Sequence, residues 1–517
     1  MNKRNTLGLL SLPLALAACG SRTDRPNIVF ILADDMGYGD VSAFNENCGL
    51  QTQNIDEMAS RGVVFTDAHS SSSVSSPTRY GLMTGRYNWR STMKKGVLSG
   101  YSRSIIPDTR QTMASMLKSR GYTTACIGKW HLGWNWGTFE GHEKPGEKKL
   151  APEDVDFTKP VTGGPTALGF DYFYGFNGSL DMTPYMYVEN DMPTTTDIFH
   201  IDKSPSPAFW REGDCGTNFS HSDCLPDMTR RGLKYIEEHK DCDKPFFLYL
   251  PLPAPHTPIL PSEEFRGRTG LNDYGDYVVM VDDVVGKVRQ ALRDNGLAEN
   301  TLLVFTADNG CSPEANFAEL REKGHSPNYI WRGAKADLFD GGHRIPLVIE
   351  WKGAGKGKCG QLVCLNDFYA SFASLTGHRL SDDEAEDSFN ILPLIKNPSY
   401  RKTIRNSVVH HSIMGHFAIR KGDWKLLCSP SSSGWSFPRP RKDDDYIATL
   451  PKMQLYNMKD DPREENNLVA EHPEIVRELK ALLLKYIKDG RSTPGTPRMN
   501  EDQDNWPQYE ALLQETL

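Results

Sequence analysis

Two pairs of polar residues follow apolar runs that are typical of buried β-strands. Residues 27–33 (NIVFILA) precede Asp34–Asp35, and residues 301–307 (TLLVFTA) precede Asp308–Asn309. If the two strands are neighbours in a sheet, three carboxylates and one amide oxygen converge at one of its edges. Clustered carboxylates repel unless a cation binds them, and hard Ca²⁺ or Mg²⁺ prefers oxygen ligands. Either pair alone is also typical of loops and helix caps, so the predicted metal site depends on both pairs.

A serine-rich segment could hold a reactive group. Residues 72–85, SSVSSPTRYGLMTG, place Ser75 two residues before Pro77 and four before Arg79. Serines that precede a proline are typical of surface turns. From residue types alone, Ser75 is therefore either part of an exposed turn or the reactive centre of an enzyme.

Four basic or imidazole side chains could bind an anion or transfer a proton. Lys129 and His131 stand two residues apart between glycines, and in an extended segment this spacing directs both side chains to one face. His256 lies within PAPHTP, where prolines stiffen the backbone, and Lys335 lies within WRGAKADLFDGG. Each of them alone is typical of a solvated surface. Because the net charge is −8, an anion site in this chain needs such a local cluster.

The elements that would position these residues alternate along the chain. Residues 245–252 (PFFLYLPL) form a third apolar run, and residues 112–119 and 277–292 carry apolar side chains at helical spacing. Strands that alternate with helices predict a large, mixed, mostly parallel sheet covered by helices on both faces. The predicted fold class is therefore α/β.

The pattern changes after about residue 395. The segments HFAIRKGDWKLL and QLYNMKD are typical of short antiparallel strands, residues 429–446 of a polar loop, and residues 473–488 of an amphipathic helix. These features predict a smaller C-terminal α+β subdomain at 398–517, after a main domain at 20–397.

The N-terminus predicts export. Lys3 and Arg4 precede the short apolar run TLGLLSLPLALAA, which is typical of a secretory signal. The run ends in LAACG, which resembles the lipobox of bacterial lipoproteins, so residues 1–19 would be the signal region and Cys19 the acylated residue. An ordinary signal peptide cleaved nearby is the alternative. We expect a periplasmic or outer-membrane lipoprotein whose membrane contact is its lipid anchor.

Composition narrows the classes of partner and cofactor. The chain of 517 residues is 38% hydrophobic and 24% charged, as in soluble globular proteins. Its acidic balance does not favour nucleic acid as a partner. The nine cysteines other than Cys19 are scattered without a CxxC pair, which argues against a zinc site and a disulfide framework. Cys215 and Cys224 are near enough in sequence to pair.

Several motifs, in this order, resemble the sulfatase family of the alkaline phosphatase superfamily. The family signature has Cys or Ser, any residue, Pro, a small residue, Arg, four further residues and Thr-Gly, and it is met here by Ser75 through Thr84-Gly85. The resemblance extends over nearly the whole mature chain. Its supporting segments are RPNIVFILADDMGYGD, QNIDEMASRGVVFTDAH, GYTTACIGKWHLG, FTADNG, RGAKADLFDGGHRIPLVIEWKG and LYNMKDDPREENNL. The departures, Thr78 and Gln53, touch no reactive group.

The resemblance implies an alkaline phosphatase-like fold and a formylglycine nucleophile (3-oxoalanine) made from Ser75. A serine sulfate ester would be as hard to hydrolyse as the substrate, whereas a hydrated aldehyde can release sulfate by elimination. The resemblance also implies a serine-type anaerobic sulfatase-maturating enzyme as a partner. One calcium ion would be held by Asp34, Asp35, Asp308 and Asn309.

Roles for the remaining site residues follow from the same resemblance. Arg79 would brace the formylglycine, and Lys129 and Lys335 would neutralise the sulfate oxygens. His131 would take a proton from the nucleophile during elimination. His256 would contact the sulfate and protonate the leaving sugar oxygen.

The expected substrate is a sulfated glycan. Residues 85–101, GRYNWRSTMKKGVLSGY, resemble bacterial carbohydrate sulfatases that act on galactose or N-acetylgalactosamine sulfates, with 6-O favoured over 4-O. Seven residues outside the signature are candidate sugar ligands, although each is equally consistent with a packing role: Tyr101, Asp181, Tyr185, Arg332, His343, His411 and Trp424.

Two other functions remain open at this point. One is a phosphodiesterase or phosphonate hydrolase of the same superfamily, and the other is a non-catalytic, glycan-binding lipoprotein. The full signature and the GKWHLG segment favour the sulfatase over the first alternative. A binding protein would need neither Ser75 nor His256.

Overall fold

The computed structural model describes residues 25–514. The predicted signal region, including Cys19, lies outside these residues. Within the described range, no helix combines the length and the apolar composition needed to cross a membrane.

The strands alternate with helices over the first two thirds of the chain. In chain order the strands are β1 (Asn27–Ala33), β2 (Val63–Phe65), β3 (Ala68–His69), β4 (Thr123–Lys129), β5 (Tyr172–Phe176), β6 (Val188–Glu189), β7 (Met192–Pro193), β8 (Ile198–Ile201), β9 (Gly213–Gly216), β10 (Phe246–Pro251), β11 (Thr301–Ala307), β12 (Leu347–Glu350), β13 (Gly357–Cys359), β14 (Val363–Cys364), β15 (Ser407–His411), β16 (Phe417–Lys421), β17 (Trp424–Leu427) and β18 (Gln454–Asn457). The α-helices are α1 (Gln53–Arg61), α2 (Ser75–Thr84), α3 (Met113–Ser119), α4 (Cys224–Glu238), α5 (Asp273–Asp294), α6 (Phe317–Glu322), α7 (Asp340–His343), α8 (Asp367–Thr376), α9 (Leu392–Lys396), α10 (Asp444–Ile447), α11 (Pro473–Asp489) and α12 (Pro507–Gln514).

A ten-stranded sheet forms the centre of the molecule, in the order β13-β2-β12-β11-β1-β10-β4-β5-β6-β7. The five strands from β11 to β5 are all parallel, and antiparallel strands flank them on both sides. Every residue of β1, β10 and β11 is buried, as expected for parallel strands covered on both faces. The predicted α/β class and mostly parallel sheet are confirmed.

Strand β1 lies between the two other strands recognised from sequence. It pairs with β11 in an unbroken register that ends at Ala33 opposite Ala307, and with β10 from Ile28 opposite Phe247. Asp34 and Asp308 each follow the last paired residue of their strand. The neighbour relationship on which the metal-site prediction depends is therefore present.

The C-terminal part forms a second sheet, β15-β16-β17-β18, which is antiparallel throughout. Apolar residues of α11, such as Leu479 and Leu483, share a buried core with this sheet. Tyr87 and Trp89, which follow α2, belong to the same core. The small antiparallel sheet is confirmed, whereas the predicted domain boundary at residues 397 and 398 stays a prediction.

Sequence periodicity identified some elements and missed others. Helices α3, α5 and α11 and strands β16, β17 and β18 occur where they were predicted, although α5 begins earlier, at Asp273. Strand β15 and helices α2, α4 and α8 were not predicted. Cys215 and Cys224 do not pair: each of the nine cysteines in residues 25–514 is a free thiol, and Cys224 contacts the Tyr187 hydroxyl at 2.9 Å.

The contact between β4 and β5 requires glycine. Gly175 is directly opposite Gly128 in the parallel register, and a Cβ on Gly175 would overlap the Gly128 carbonyl oxygen. Gly175→Ala should lower the free energy of unfolding by about 1–3 kcal/mol, because the extra methyl group forces the two strands apart. Gly360→Ala is the matched control, since its nearest neighbour would be 3.8 Å away. Urea denaturation of both variants measures the effect, and an equal stability for the two would contradict it.

Candidate active site

Four adjacent parallel strands end at one edge of the sheet and bring their polar residues together. From β11 to β4 the carboxyl ends carry Asp308, Asp34, His256 and Lys129, in that spatial order. Ligand sites of open α/β sheets lie at this edge. All four side chains are buried.

Ser75 lies at the centre of this group. It is the first residue of α2 and only 2% exposed. Its hydroxyl donates to Asp34 Oδ1 at 3.2 Å and accepts from Lys129 Nζ at 3.3 Å. The surface-turn interpretation of the serine-rich segment is therefore wrong, because residues 70–76 are buried throughout.

The spacing of the signature follows from the geometry of α2. Pro77 falls in the first turn, where a missing N–H leaves no hydrogen bond unmade. Arg79 is four residues after Ser75 and so shares its face of the helix. Gly85 ends the helix with φ of 65°, a left-handed conformation that glycine adopts without strain.

Arg79 supports the carboxylates rather than Ser75 itself. Its guanidinium donates to Asp308 Oδ2 from Nε at 3.2 Å and from Nη2 at 2.9 Å, and to the Lys129 carbonyl at 2.9 Å. It also lies 3.6 Å from Asp34 Oδ1. Within the described residues its contacts therefore brace the acidic group, and any effect on residue 75 acts through Asp34.

Three of the four predicted metal ligands, Asp35, Asp308 and Asn309, contact one another, and Asp34 offers an oxygen within 4.8 Å of one on Asp35. Asn309 Nδ2 donates to Asp35 Oδ1 at 2.7 Å, and the Asp35 N–H donates to Asp308 Oδ1 at 3.2 Å. In the part of the chain described, Asn309 Oδ1 is buried without a hydrogen-bond partner. An orphaned buried oxygen beside three carboxylates matches the ligand set of a hard cation.

Two lysines offset the acidic charge. Lys129 Nζ lies 2.6 Å from Asp34 Oδ2, and Lys335 Nζ lies 2.7 Å from Asp35 Oδ2. Burial alone would raise the pKa of Asp34, but Lys129, His256 and Arg79 together lower this pKa to about 2. Asp34 is therefore ionised at neutral pH. Burial would lower the pKa of Lys335, but the attraction of Asp35 and Asp34 raises it, so Lys335 stays charged.

His131 reaches the group by a different route from the one predicted. Its φ of 56° breaks the extended segment, so strand alternation gives no reason for it to point the same way as Lys129. Its Nε2 is 2.8 Å from the Leu98 carbonyl, which fixes the proton on Nε2, while Nδ1 is buried without a partner among the described residues. Burial, followed by the charges of Lys129 and Arg79, holds the pKa of His131 well below its usual value.

His256 lies beside Asp35. Its Nε2 is 3.6 Å from Asp35 Oδ2, and its Nδ1 is 2.5 Å from the Thr257 carbonyl. Ser179 Oγ connects His256, at 3.3 Å from Nε2, with Lys129 Nζ at 3.1 Å. Ser179 was not predicted, although it lies three residues after the end of β5, at the same edge of the sheet as Asp34.

Three of the candidate sugar ligands bond to Arg211 or Asp214, and one of the three, Asp181, lies within electrostatic range of His256. Asp181 is buried and forms an ion pair with Arg211. Burial would raise the pKa of Asp181, but the charges of His256 and Arg211 lower it. The Tyr101 and Tyr185 hydroxyls bond to the adjoining Asp214 and Arg211, respectively. Arg211 was not predicted, because it lies outside the motifs and no feature of the sequence distinguishes it from other partly exposed arginines.

Four other candidates make their side-chain contacts elsewhere. Arg332 packs over Phe339 and donates to the Glu464 carbonyl, and Trp424 packs against His472 in the C-terminal subdomain. His343 and His411 are fully buried. The structure does not join these four to the group around Ser75, and their surroundings favour packing roles.

A second group with metal-ligand chemistry consists of His69, His343 and His410. The rings of His343 and His410 stack at 3.5 Å with planes 10° apart, and His343 Nε2 contacts the Leu338 carbonyl at 3.0 Å and Lys425 Nζ at 3.2 Å. Burial lowers the pKa of all three. This group is a neutral packed cluster, and the oxygen-rich site is the better fit for a metal.

Comparison with known proteins identifies relatives over most of the chain. The family described as Sulfatase matches residues 26–378. An N-acetylgalactosamine-6-O-sulfatase of Bacteroides thetaiotaomicron is 32% identical over 506 residues, which cover 90% of this chain and 93% of that protein. Human arylsulfatase A is 31% identical over 518 residues, which cover 96% of this chain and 94% of that protein.

A solved structure from work on the metabolism of multiple glycosaminoglycans by Bacteroides thetaiotaomicron matches the fold. Its TM-score is 0.78 at 31% identity, with 90% of this chain and 99% of that chain covered. The two alternatives, a phosphate ester hydrolase and a non-catalytic binding protein, receive no support from these matches.

The burial of His411 predicts a pH dependence of stability. Burial lowers its pKa from 6.5 to about 3, so below pH 6.5 the unfolded chain binds a proton that the folded protein does not. The free energy of unfolding should therefore fall as the pH decreases from 6.5 towards 3, by about 1.4 kcal/mol per pH unit from this residue. His411→Asn should reduce that slope by the same amount. Urea denaturation between pH 6 and 4 measures both slopes, and parallel slopes would contradict the buried neutral imidazole.

Proposed function

The chain belongs to the sulfatase family, and we propose that this sulfuric ester hydrolase removes a 6-O-sulfate from a galactose- or N-acetylgalactosamine-type sugar of a sulfated glycan. The relative from Bacteroides thetaiotaomicron supports the sugar type and the sulfate position, because its name specifies both.

One observation carries the proposal: the Ser75 hydroxyl lies between the Asp34 carboxylate and the Lys129 ammonium at the start of α2. The N–H groups at a helix N-terminus attract anions, so sulfate at this point would meet two sources of positive charge. We propose that a serine-type maturating enzyme oxidises Ser75 to formylglycine. That group would supply a hydrated aldehyde as the nucleophile.

The acidic group is proposed to hold one calcium ion through Asp34, Asp35, Asp308 and Asn309. The orphaned, buried Asn309 Oδ1 supports this assignment, because an unpaired buried oxygen is costly unless a ligand satisfies it. When bound, calcium would withdraw electron density from the sulfate oxygens. Lys129 and Lys335 would bind those oxygens as charge shifts in the transition state.

The two histidines suit opposite proton transfers. His131 is held neutral, and its unpartnered Nδ1 carries the free lone pair, so it would accept a proton from the hydroxyl of the nucleophile. His256, whose Nε2 lies 3.6 Å from Asp35 Oδ2, would donate a proton to the leaving sugar oxygen. The Thr257 carbonyl holds a proton on His256 Nδ1, so the proton that the imidazolium form would give to the sugar oxygen is the one on Nε2.

We also propose that the protein is exported and anchored through an acylated Cys19. The charged start, the short apolar run and LAACG support this. An exported enzyme would meet sulfated glycans outside the cytoplasm.

The oxidation of Ser75 is testable by mass. Active protein should yield a peptide containing residue 75 that lacks two hydrogen atoms, whereas protein made without a maturating enzyme should fold but not turn over a sulfated sugar. Ser75→Ala should reduce the rate by roughly 10⁶, the cost of losing a covalent nucleophile in other hydrolases. Ser75→Cys, made in a host with a cysteine-directed maturating enzyme, should recover activity because both routes give the same aldehyde. Full activity of unmodified wild-type protein would disprove the mechanism.

The metal assignment predicts stabilisation by calcium. Calcium at a hundred times its Kd should raise the free energy of unfolding by about 2.7 kcal/mol, and exhaustive chelation should abolish turnover. Asn309→Ala should lose most of the calcium-dependent stabilisation. Asn177→Ala is the matched control, because Asn177 Oδ1 is also buried without a partner in the described chain but is not one of the proposed ligands. Equal calcium responses of the two variants would reject Asn309 as a ligand.

A further inference from the structure

Two adjoining cavities form a groove between residues 92–105, which follow α2, and the C-terminal subdomain. One, of about 640 Å³, is lined by Lys95, Trp435, Arg439 and Arg441 among others. The second, of about 430 Å³, is lined by Lys94, Arg103 and Lys148. They share Lys95, Pro507 and Gln508 in their walls, and we refer to them together as the cationic groove.

The cationic groove adjoins the site around Ser75 at two points. The Trp435 ring lies 5.8 Å from the ammonium of Lys335, which itself contacts Asp35. Leu98, in the wall of the smaller cavity, accepts a hydrogen bond from His131 through its carbonyl, and its N–H donates to Ser76 Oγ at 3.1 Å. A molecule that fills the groove would therefore extend outward from the reacting centre.

The charge of the groove differs from that of the whole chain. The protein carries a net charge of −8, yet the lining holds six Lys or Arg residues and a single carboxylate, Asp502. Lys148 is the cation that pairs with Asp502, at 3.2 Å. Within residues 25–514, the exposed side chains of Lys95, Arg439 and Arg441 form no ion pair. Unpaired cations that line one cavity attract an anion.

Among the described residues, the acidic ones near Arg439 and Arg441 bond to the backbone of the loop that carries these arginines and form no ion pair with their side chains. The carboxylates of Asp443 and Asp444 accept hydrogen bonds from the backbone N–H groups of Arg439 and Arg441, both at 2.7 Å. These bonds fix the loop backbone and leave the guanidinium groups of both arginines available to bind an anionic ligand.

The loop is also fixed to the segment that carries Lys335. Asp337, two residues further on, accepts from the backbone N–H groups of Trp435 at 2.7 Å and Ser436 at 3.1 Å. Gly434 approaches Ala336 so closely that a Cβ there would overlap its backbone. The position of the cationic groove is thereby tied to that of the catalytic lysine.

We propose that the cationic groove binds the anionic sugar residues that flank the sulfated one, so that the substrate is a segment of a polyanionic glycan. The inference rests on the proposed function and names the substrate class of the same site. Arg439 and Arg441 bind carboxylate or sulfate groups through bidentate hydrogen bonds. The half-exposed Trp435 offers a flat apolar face to a sugar ring.

The test compares two substrates of the mature enzyme. The first is an oligosaccharide of alternating uronic acid and 6-O-sulfated N-acetylgalactosamine, and the second is the 6-O-sulfated monosaccharide. In the variant Arg439→Gln/Arg441→Gln, the ratio of kcat/KM for the oligosaccharide to that for the monosaccharide should fall roughly tenfold, the combined effect of two exposed ion pairs. In the same variant, this ratio of kcat/KM values should also become less sensitive to the salt concentration.

The matched control removes the same charge from another basic cavity. Lys352 and Lys356 line a pocket at the opposite edge of the sheet, beside Thr301 at the start of β11. Lys352→Gln/Lys356→Gln should therefore leave the ratio as in the wild type. An equal ratio in all three proteins would overturn the proposal.

A binding measurement separates this proposal from the proposed function. Ser75→Ala protein is titrated calorimetrically with the same oligosaccharide, with and without Arg439→Gln/Arg441→Gln. Weaker binding by the variant supports the groove. If the wild type does not hydrolyse the 6-O-sulfated monosaccharide, that failure rejects the 6-O assignment alone and leaves the binding result unaffected. Unchanged binding overturns the groove even where hydrolysis is observed.

Discussion

The pairing of β1 with β11 is the constraint on which the site depends. It forces Asp34, Asp35 and Asp308 into one buried group, and buried like charges are unfavourable unless they are compensated. Lys129, Lys335 and Arg79 supply that compensation, each from a different part of the fold. The sheet register, the start of α2 and the segment after β11 must therefore all be correct together.

Helix α2 adds the proposed reactive residue to this electrostatic group. Its first residue, Ser75, contacts both Asp34 and Lys129, and its fifth, Arg79, contacts Asp308. The helix is buried along its whole length, so these contacts form away from competing water. Burial makes each contact stronger and makes an unpaired member more costly. The same helix leads directly to Tyr87 and Trp89, which pack in the C-terminal core.

The sequence predicts those parts of the site that depend on local pattern. The apolar runs before Asp34 and Asp308 identify buried strands, and a parallel sheet brings their ends together whatever lies between them. The direction of His131 could not be predicted, because its positive φ interrupts the strand alternation from which it was argued. Long-range packing also decides which of the candidate sugar ligands are near Ser75. Asp181 is near it, whereas His343 and His411 lie in the core, and no local property of the sequence distinguishes them.

The shared core of the two units limits how this chain can be divided or recombined. Arg90, which follows Trp89, donates to the Tyr486 carbonyl of α11 and is itself held by an ion pair, 2.7 Å long, with Asp387 of the main domain. A gene fragment that ends before β15 would encode Tyr87 and Trp89 without the apolar partners that cover them. Recombination between related genes should therefore yield folded proteins only when the two units are inherited together. The exposed stretch at residues 140–149 is a better place for an insertion, because few buried contacts would be lost there.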